Sequence, residues 1–292
     1  MRKVGIVTDS HSGITQKQAK EMGIFVLPMP FSVNGKDYLE DVTLSREVFF
    51  KRLSEGAEVS TSQPSPADVT GIWNRALAEY EEIVYIPISS GLSGSCMTAM
   101  ALTSGKSYQG KVFVVDNGRV STPMRRSVMD AMELVEEGYS AAQIKQMLEA
   151  AKDRMQIYVA VDTLEYLRKG GRISRTTAAI GTVMNIKPVL KFDIGALDTY
   201  KKCRGFNLAK KAMIEAMHHD LETVYAEELE KGEVYLLAAS SASREVTSAW
   251  VKEIETAFPG MEVLCDNLAL GISCHIGPNG LGIGCSCRPK RI

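Results

Sequence analysis

The chain reads as an α/β protein of two domains, the first built on a parallel sheet and the second on a mixed one. Three observations predict this. Through the first half, β-branched runs alternate with helix-periodic stretches over short connections, the pattern of a parallel sheet covered on both faces. In the second half "IKPVLKFDIGALDTYKK" reads as two strands joined at Asp193-Ile194-Gly195, a hairpin that requires antiparallel pairing. The 292 residues, 45% of them apolar, suffice for two separate cores.

Element by element, "KVGIVTD" is a strand ending in polar turn residues. "ITQKQAKEMG" is a helix stopped by Gly23, followed by "IFVLPMPFSV" as one extended stretch. "LSREVFFKRLSEG" takes Ser45 as N-cap and Gly56 as stop signal. In "SPADVTGIWNRALAEY" Ser65 is the N-cap and Pro66 the first helical residue. "EIVYIPIS" is a strand, "ISSGLSGSCMTAM" a turn with its helix, and "GKVFVVD" a further strand. Helices around "RRSVMDAMELVEEG" and "SAAQIKQMLEAAKDR" close the half. A domain change is expected near Asp153–Gln156, giving domains of residues 1–155 and 156–292.

The second half opens with the strand "IYVAVD". "TLEYLRKGGRISR" is a short helix broken at Gly170-Gly171, and the hairpin follows. One long polar helix covers about "FNLAKKAMIEAMHHDLETVYAEELEKG". "EVYLLAAS", "SREVTSAWVKEIETAF" and "MEVLCDN" make a last β-α-β, before the glycine-rich "HIGPNGLGIG".

The formal net charge is −1 and no Lys/Arg run is dense enough to follow a phosphate backbone, which argues against a nucleic-acid partner. No 18-residue apolar run is present, so no membrane insertion is expected. "MRKVGIVTDSHSG" begins like a buried strand and lacks the apolar region of a signal peptide, so the expected location is cytoplasmic with reduced thiols. Cys274, His275, Cys285 and Cys287 lie close in sequence. They contain no C-x-x-C pair, however, and small buried thiols are expected there instead of a metal site.

Three strand-end turns are rich in hydroxyls and glycine: "TDSHSG", "STSQPS" and "SSGLSGS". At the carboxyl ends of parallel strands, beside helix N-termini, such turns suit a carboxylate or phosphate. The plain alternative is that each serine only caps the helix that follows. Ser93, in Gly91-Leu92-Ser93-Gly94-Ser95, is one residue short of the G-x-S-x-G elbow of a serine hydrolase. A nucleophile needs a base in reach, and only His11, His218, His219 and His275 exist. No nucleotide-binding glycine motif is present. "LRKGGRIS" combines Arg168, Lys169 and Arg172 with two glycines, either a basic loop that touches an anion or a solvated turn.

In order, these motifs resemble the DegV family over essentially the whole chain. "VTDSHSGIT", "STSQPSP" and "ISSGLSGSCMTA" resemble its three turns. "VAVDTLEYLRKGGRIS" with "NIKPVLKFDIGAL" resembles its domain-linking segment and hairpin, "KKCRGFNLAKK" its basic stretch and "HIGPNGLGIG" its C-terminal strand. The resemblance implies two α/β domains enclosing one long-chain fatty acid between them. It further implies a binding subunit without catalysis or cofactor, which presents the carboxylate to a dihydroxyacetone-kinase-like fatty acid kinase subunit for phosphorylation. Thr61, Ser62 and Ser93 then match the head-group hydroxyls, His275 the head-group histidine, and Arg172 and Arg204 the kinase-facing residues. Ser95-Cys96-Met97 and "VVDNGRVS" depart from the family pattern. On this reading Ser93 binds and does not attack. The rival readings are a serine hydrolase acting on acyl esters through Ser93 and a sensor of another amphipathic acid.

Overall fold

The computed structural model describes residues 2–178, 186–193 and 195–292. It divides into two compact units, residues 1–153 with 269–271 and 289–292, and residues 154–268 with 272–288.

The first unit contains β1 (Arg2–Asp9), a 3-10 turn (Ser10–Ser12), α1 (Gln16–Met22), β2 (Phe25–Leu27), β3 (Pro30–Val33), β4 (Lys36–Leu39) and α2 (Arg46–Ser54). It continues with β5 (Val59–Thr61), α3 (Pro66–Leu77), β6 (Tyr80–Ile86), α4 (Ser95–Leu102), β7 (Val112–Val114), α5 (Ser121–Glu136) and α6 (Ala141–Ala150). The strand order β2-β1-β6-β7 is parallel throughout, as the alternating pattern predicts. The chain moves outward from β1 to β2 and then to the other side through β6 and β7. The order therefore reverses between β1 and β6, where open α/β sheets bind ligands.

The stretch "IFVLPMPFSV" is two strands and not one. β2 ends before Pro28, and β3 begins at Pro30 in a separate antiparallel sheet of order β4-β3-β5. Proline donates nothing to a ladder. Met29, between the two prolines, sends its N–H to Ser10 Oγ and accepts from the Glu40 N–H, so the backbone leaves the first sheet there. Trp73, Tyr85, Ile72, Ile83 and Val7 fill the core between α3 and the parallel sheet.

In the second unit lie β8 (Met155–Ala160), α7 (Glu165–Gly170), α8 (Arg175–Ala178), β9 (Ile186–Asp193), β10 (Ala196–Arg204), α9 (Phe206–Thr223) and α10 (Ala226–Glu230). β11 (Val234–Ser240), α11 (Arg244–Ala257), β12 (Val263–Asn267), α12 (Leu270–Ile276) and β13 (Leu281–Cys287) complete it, although the first two residues of α12 group with the first unit. The sheet order is β10-β9-β8-β13-β11-β12, mixed, with β9 and β10 antiparallel as the hairpin pattern predicts. Its connecting residue Ile194 lies outside the described residues.

Two elements differ from the sequence reading. The polar helix breaks after Thr223, because the N–H groups of Val224 and Tyr225 both turn to the Asp220 carbonyl and the Tyr225 side chain is buried. His275 lies in the last turn of α12, and the C-terminal strand begins only at Leu281. Cys285 and Cys287 share one face of β13, packed in a core with Tyr158, Met213 and Trp250. Among the described residues no disulfide pairs the cysteines, and no group of His, Cys, Asp and Glu is placed to hold a metal ion.

Candidate functional site

Two of the three hydroxyl-rich turns lie at the carboxyl ends of β1 and β6, beside the reversal in strand order. Asp9 joins them. It is fully buried, and its Oδ1 accepts the His11 N–H at 2.9 Å while its Oδ2 accepts the Ile88 N–H at 2.9 Å. The His11 imidazole is 3.2 Å from the same Oδ1. Thr8 Oγ donates to the Ile86 carbonyl at 2.7 Å, and Ser12 Oγ to the Asp9 carbonyl at 2.8 Å.

The third turn is held from its other side by the segment after β7. The Ser89 N–H donates to the Arg119 carbonyl at 2.9 Å, and Ser90 donates its N–H and O–H to Asp116 at 3.2 and 2.6 Å. Burial pushes the Asp116 carboxyl up, but the Ser90 bonds and Lys152 at 3.1 Å outweigh it and hold the group below its ordinary value. Ser93 is half-buried, and its Oγ accepts the Ser95 N–H at 3.3 Å. Ser95 Oγ, buried in the first turn of α4, has no hydrogen-bond partner among the described residues.

The second turn reaches the third through Gln63. Its Oε1 accepts the Thr98 hydroxyl at 3.3 Å and lies against Gly94, where an added Cβ would stand 3.2 Å away. Thr61 ends β5 opposite Phe31, and Ser62 is exposed just beyond it. Ser65 forms a capping box with Asp68 at the start of α3, with Pro66 at the first helical position. Capping thus accounts for Ser65.

The turn around Ser93 is not a nucleophile elbow. Such an elbow strains the serine backbone. The non-glycine residues with positive φ among those described are Asn34, Asp41, Ser121 and Asn279. Ser93 Oγ accepts a backbone amide N–H, that of Ser95, and not an imidazole.

In the second unit, His275 and the Gly170-Gly171-Arg172 turn are adjacent. A Cβ on Gly170 would fall 2.6 Å from His275 Cε1 and closer still to Nδ1. Arg172 Nη1–H donates to the Gly170 carbonyl at 2.5 Å, and the Arg172 carbonyl accepts the Leu197 N–H at 3.3 Å. Arg204 is exposed at the end of β10, beside exposed Lys201 and Lys202.

Glu40, not singled out by the sequence, is buried beyond β4. Its two carboxylate oxygens accept the Leu270 and Gly271 N–H groups at 2.7 and 3.0 Å, where a helix N-terminus favours an anion. A Cβ on Gly271 would stand 2.7 Å from His11 Nε2. Burial pushes the Glu40 carboxyl up, against those two hydrogen bonds and the nearby His11. A raised native pKa means the folded chain holds this proton more tightly than the unfolded chain. Glu40's contribution to stability is then fully present below the ordinary carboxylate range and is lost as pH rises through the raised value. Relative to Glu40→Gln, the wild type should therefore lose stability as pH rises above the ordinary carboxylate range, as read in urea titrations. A gain over that rise would mean that the hydrogen bonds dominate burial.

The fold and these turns define a class: a two-unit α/β protein with three hydroxyl-bearing loops tied together beside a parallel sheet. The family described as "Uncharacterised protein, DegV family" matches residues 3–287, and the chain belongs to the DegV family. A DegV domain-containing protein of Caldanaerobacter subterraneus subsp. tengcongensis is 29% identical over 97% of this chain and 98% of its own. Another, from Deinococcus radiodurans, is 30% identical over 96% of this chain and 97% of its own. A DegV family protein from Thermus thermophilus, solved as a fatty-acid-binding structure, matches with a TM-score of 0.86 at 28% identity, covering 98% of this chain and 99% of that one. A protein of Eubacterium ventriosum, solved as a stearic-acid-binding protein, shares the fold with a TM-score of 0.85 at 20% identity over 98% of each chain. No helix among the described residues is long and apolar enough to cross a membrane.

Proposed function

We propose that the chain binds one long-chain fatty acid, with palmitate as the test ligand, and performs no chemistry on it. Thr61, Ser62, Ser93 and His275 serve its carboxylate. The carrier, in the cytoplasm, presents that carboxylate to a dihydroxyacetone-kinase-like subunit, with Arg172 and Arg204 facing the kinase.

The observation that carries this reading is the joining of the second and third turns by Gln63, which sets the loops bearing Thr61, Ser62 and Ser93 side by side. The fatty acid binding of the Thermus thermophilus relative supports the ligand class. Energetics agree: hiding a sixteen-carbon chain from water gains about 0.8 kcal/mol per methylene, roughly 10 kcal/mol before ordering costs. The carboxylate must be hydrogen-bonded wherever it is buried. Hydroxyl donors satisfy it without clamping both oxygens as a bidentate Arg would, and one oxygen stays available for phosphorylation. The unspent Ser95 O–H is a further donor that such a ligand would satisfy.

Protein purified from a bacterial host should release fatty acid on organic extraction, identified by mass. An empty protein that also takes up neither palmitate nor oleate would sink the proposal. Ser93→Ala should weaken palmitate binding by about 1–3 kcal/mol, the effect of one lost buried donor, as measured by calorimetry. A fluorophosphonate probe that labels the wild type but not Ser93→Ala would instead favour the hydrolase.

A further inference from the structure

The two glycines that end α7 are there for different reasons. Gly171 has φ +69 and open space where a Cβ would go, so its backbone conformation is what excludes other residues. Its N–H closes the helix on the Arg168 and Leu167 carbonyls. Gly170 is the last helical residue and does not have positive φ. At such a position alanine would ordinarily be favoured by roughly 1 kcal/mol. What excludes it is the His275 ring, whose Cε1 would lie 2.6 Å from the added carbon.

The contact is reciprocal. Gly277, just past α12, receives the Tyr166 ring of α7, and a Cβ there would meet Cε2 at 2.7 Å. α7 and α12 thus interlock through two bare positions, Tyr166 on Gly277 and His275 on Gly170. Gly170 also offers its carbonyl to the Arg172 guanidinium at 2.5 Å. The main chain of one residue separates the imidazole from the guanidinium.

We infer that Gly170 is a positioning residue that relays the state of the head group at His275 to Arg172. A ligand that presses the His275 ring toward Gly170 displaces the backbone packed against it, and with it the carbonyl that the Arg172 guanidinium binds. The loaded and empty carriers then display different guanidinium positions. Because such coupling is reciprocal, whatever holds Arg172 also changes affinity at the head group. The relay rests on the carrier reading, in which His275 serves the carboxylate and Arg172 faces the kinase.

The test uses the full chain, palmitate as ligand, and the arginine side-chain Nε–H resonance of Arg172, assigned by its loss in Arg172→Lys. In the wild type, saturation with palmitate should shift that resonance. Gly170→Ala should weaken palmitate binding by about tenfold or more. Introduced into His275→Ala, where the obstructing ring is gone, the same change should alter affinity by under about twofold. A wild type that binds palmitate while the Arg172 resonance stays fixed would overturn the relay and leave the carrier reading standing. An equal penalty for Gly170→Ala in both backgrounds would also overturn it, since Gly170 would not act through His275. A chain that takes up no palmitate would remove the carrier reading, and the relay with it.

Discussion

Asp9→Ala is expected to cost roughly 2–6 kcal/mol of folding stability, because two buried backbone N–H groups lose their acceptor at about 1–3 kcal/mol each. Those groups belong to His11 and Ile88, 79 residues from Asp9 in the second case. The effect should therefore exceed that of removing a helix cap, which is about 1 kcal/mol. Asp9→Asn should fall between, since its amide oxygen keeps one N–H and its NH2 group opposes the other. Urea denaturation measures both. On the proposed carrier function the loss should also reach palmitate binding, because the carboxylate sets the first turn against the third, where Ser93 lies. An Asp9→Ala protein within about 1 kcal/mol of wild type would show that water replaces the carboxylate at little cost, and that Asp9 is not what holds the two turns together.

The contrast between Asp9 and Ser65 shows what the sequence made legible. Ser65 as N-cap and Pro66 as the first helical residue are readable from the sequence alone, and the structure adds Asp68 as the reciprocal partner of Ser65. The same holds for the Gly23 stop, for the parallel first sheet and for the β9–β10 hairpin. The three hydroxyl turns were visible as composition, but what draws them together was not. Gln63 meets Thr98 across 35 residues, Ser90 meets Asp116 across 26, and Glu40 meets Leu270 across 230. No local periodicity encodes such pairs. "IFVLPMPFSV" reads as one stretch for a related reason: its two strands differ in which sheet they join, and only Pro28 and Pro30 mark the change. The glycine-rich sequence around His275 suppresses the helical signal and reads as a strand. α12 forms nonetheless, its first N–H groups met by a carboxylate distant in sequence.

The second large effect is expected at Asp130, whose removal takes from the buried Arg126 guanidinium one of its two carboxylate partners, the other being Glu133, and takes from Arg119 a nearby opposite charge. Arg119 and Arg126 are 1% and 6% exposed, so water reaches neither freely. Arg126 Nε–H donates to Asp130 Oδ1 at 2.9 Å, and a second nitrogen lies 2.8 Å from the same oxygen. Arg119 donates to Ser127 Oγ at 2.9 Å and to the Ala151 carbonyl at 3.0 Å, with Asp130 as a nearby opposite charge. Burial pushes the Asp130 carboxyl up, and Arg126 and Arg119 only partly offset this, so the site is held by mutual neutralisation and not by excess charge. Breaking a buried pair from one side costs about 3–5 kcal/mol, whereas removing both partners is far milder. Because Glu133 stays on Arg126, Asp130→Ala should lose at most about that much stability, and adding Arg126→Ala should cost less than the sum of the two single changes. The loss should change little between low and high salt, because screening acts weakly on charges withdrawn from solvent. Asp130 stands on α5, which packs against the Ser10–Ser12 turn, so on the proposed carrier function a loosened helix should also lower palmitate affinity. Strict additivity of Asp130→Ala and Arg126→Ala would refute the account, since it would mean that the two side chains do not depend on each other for their charge.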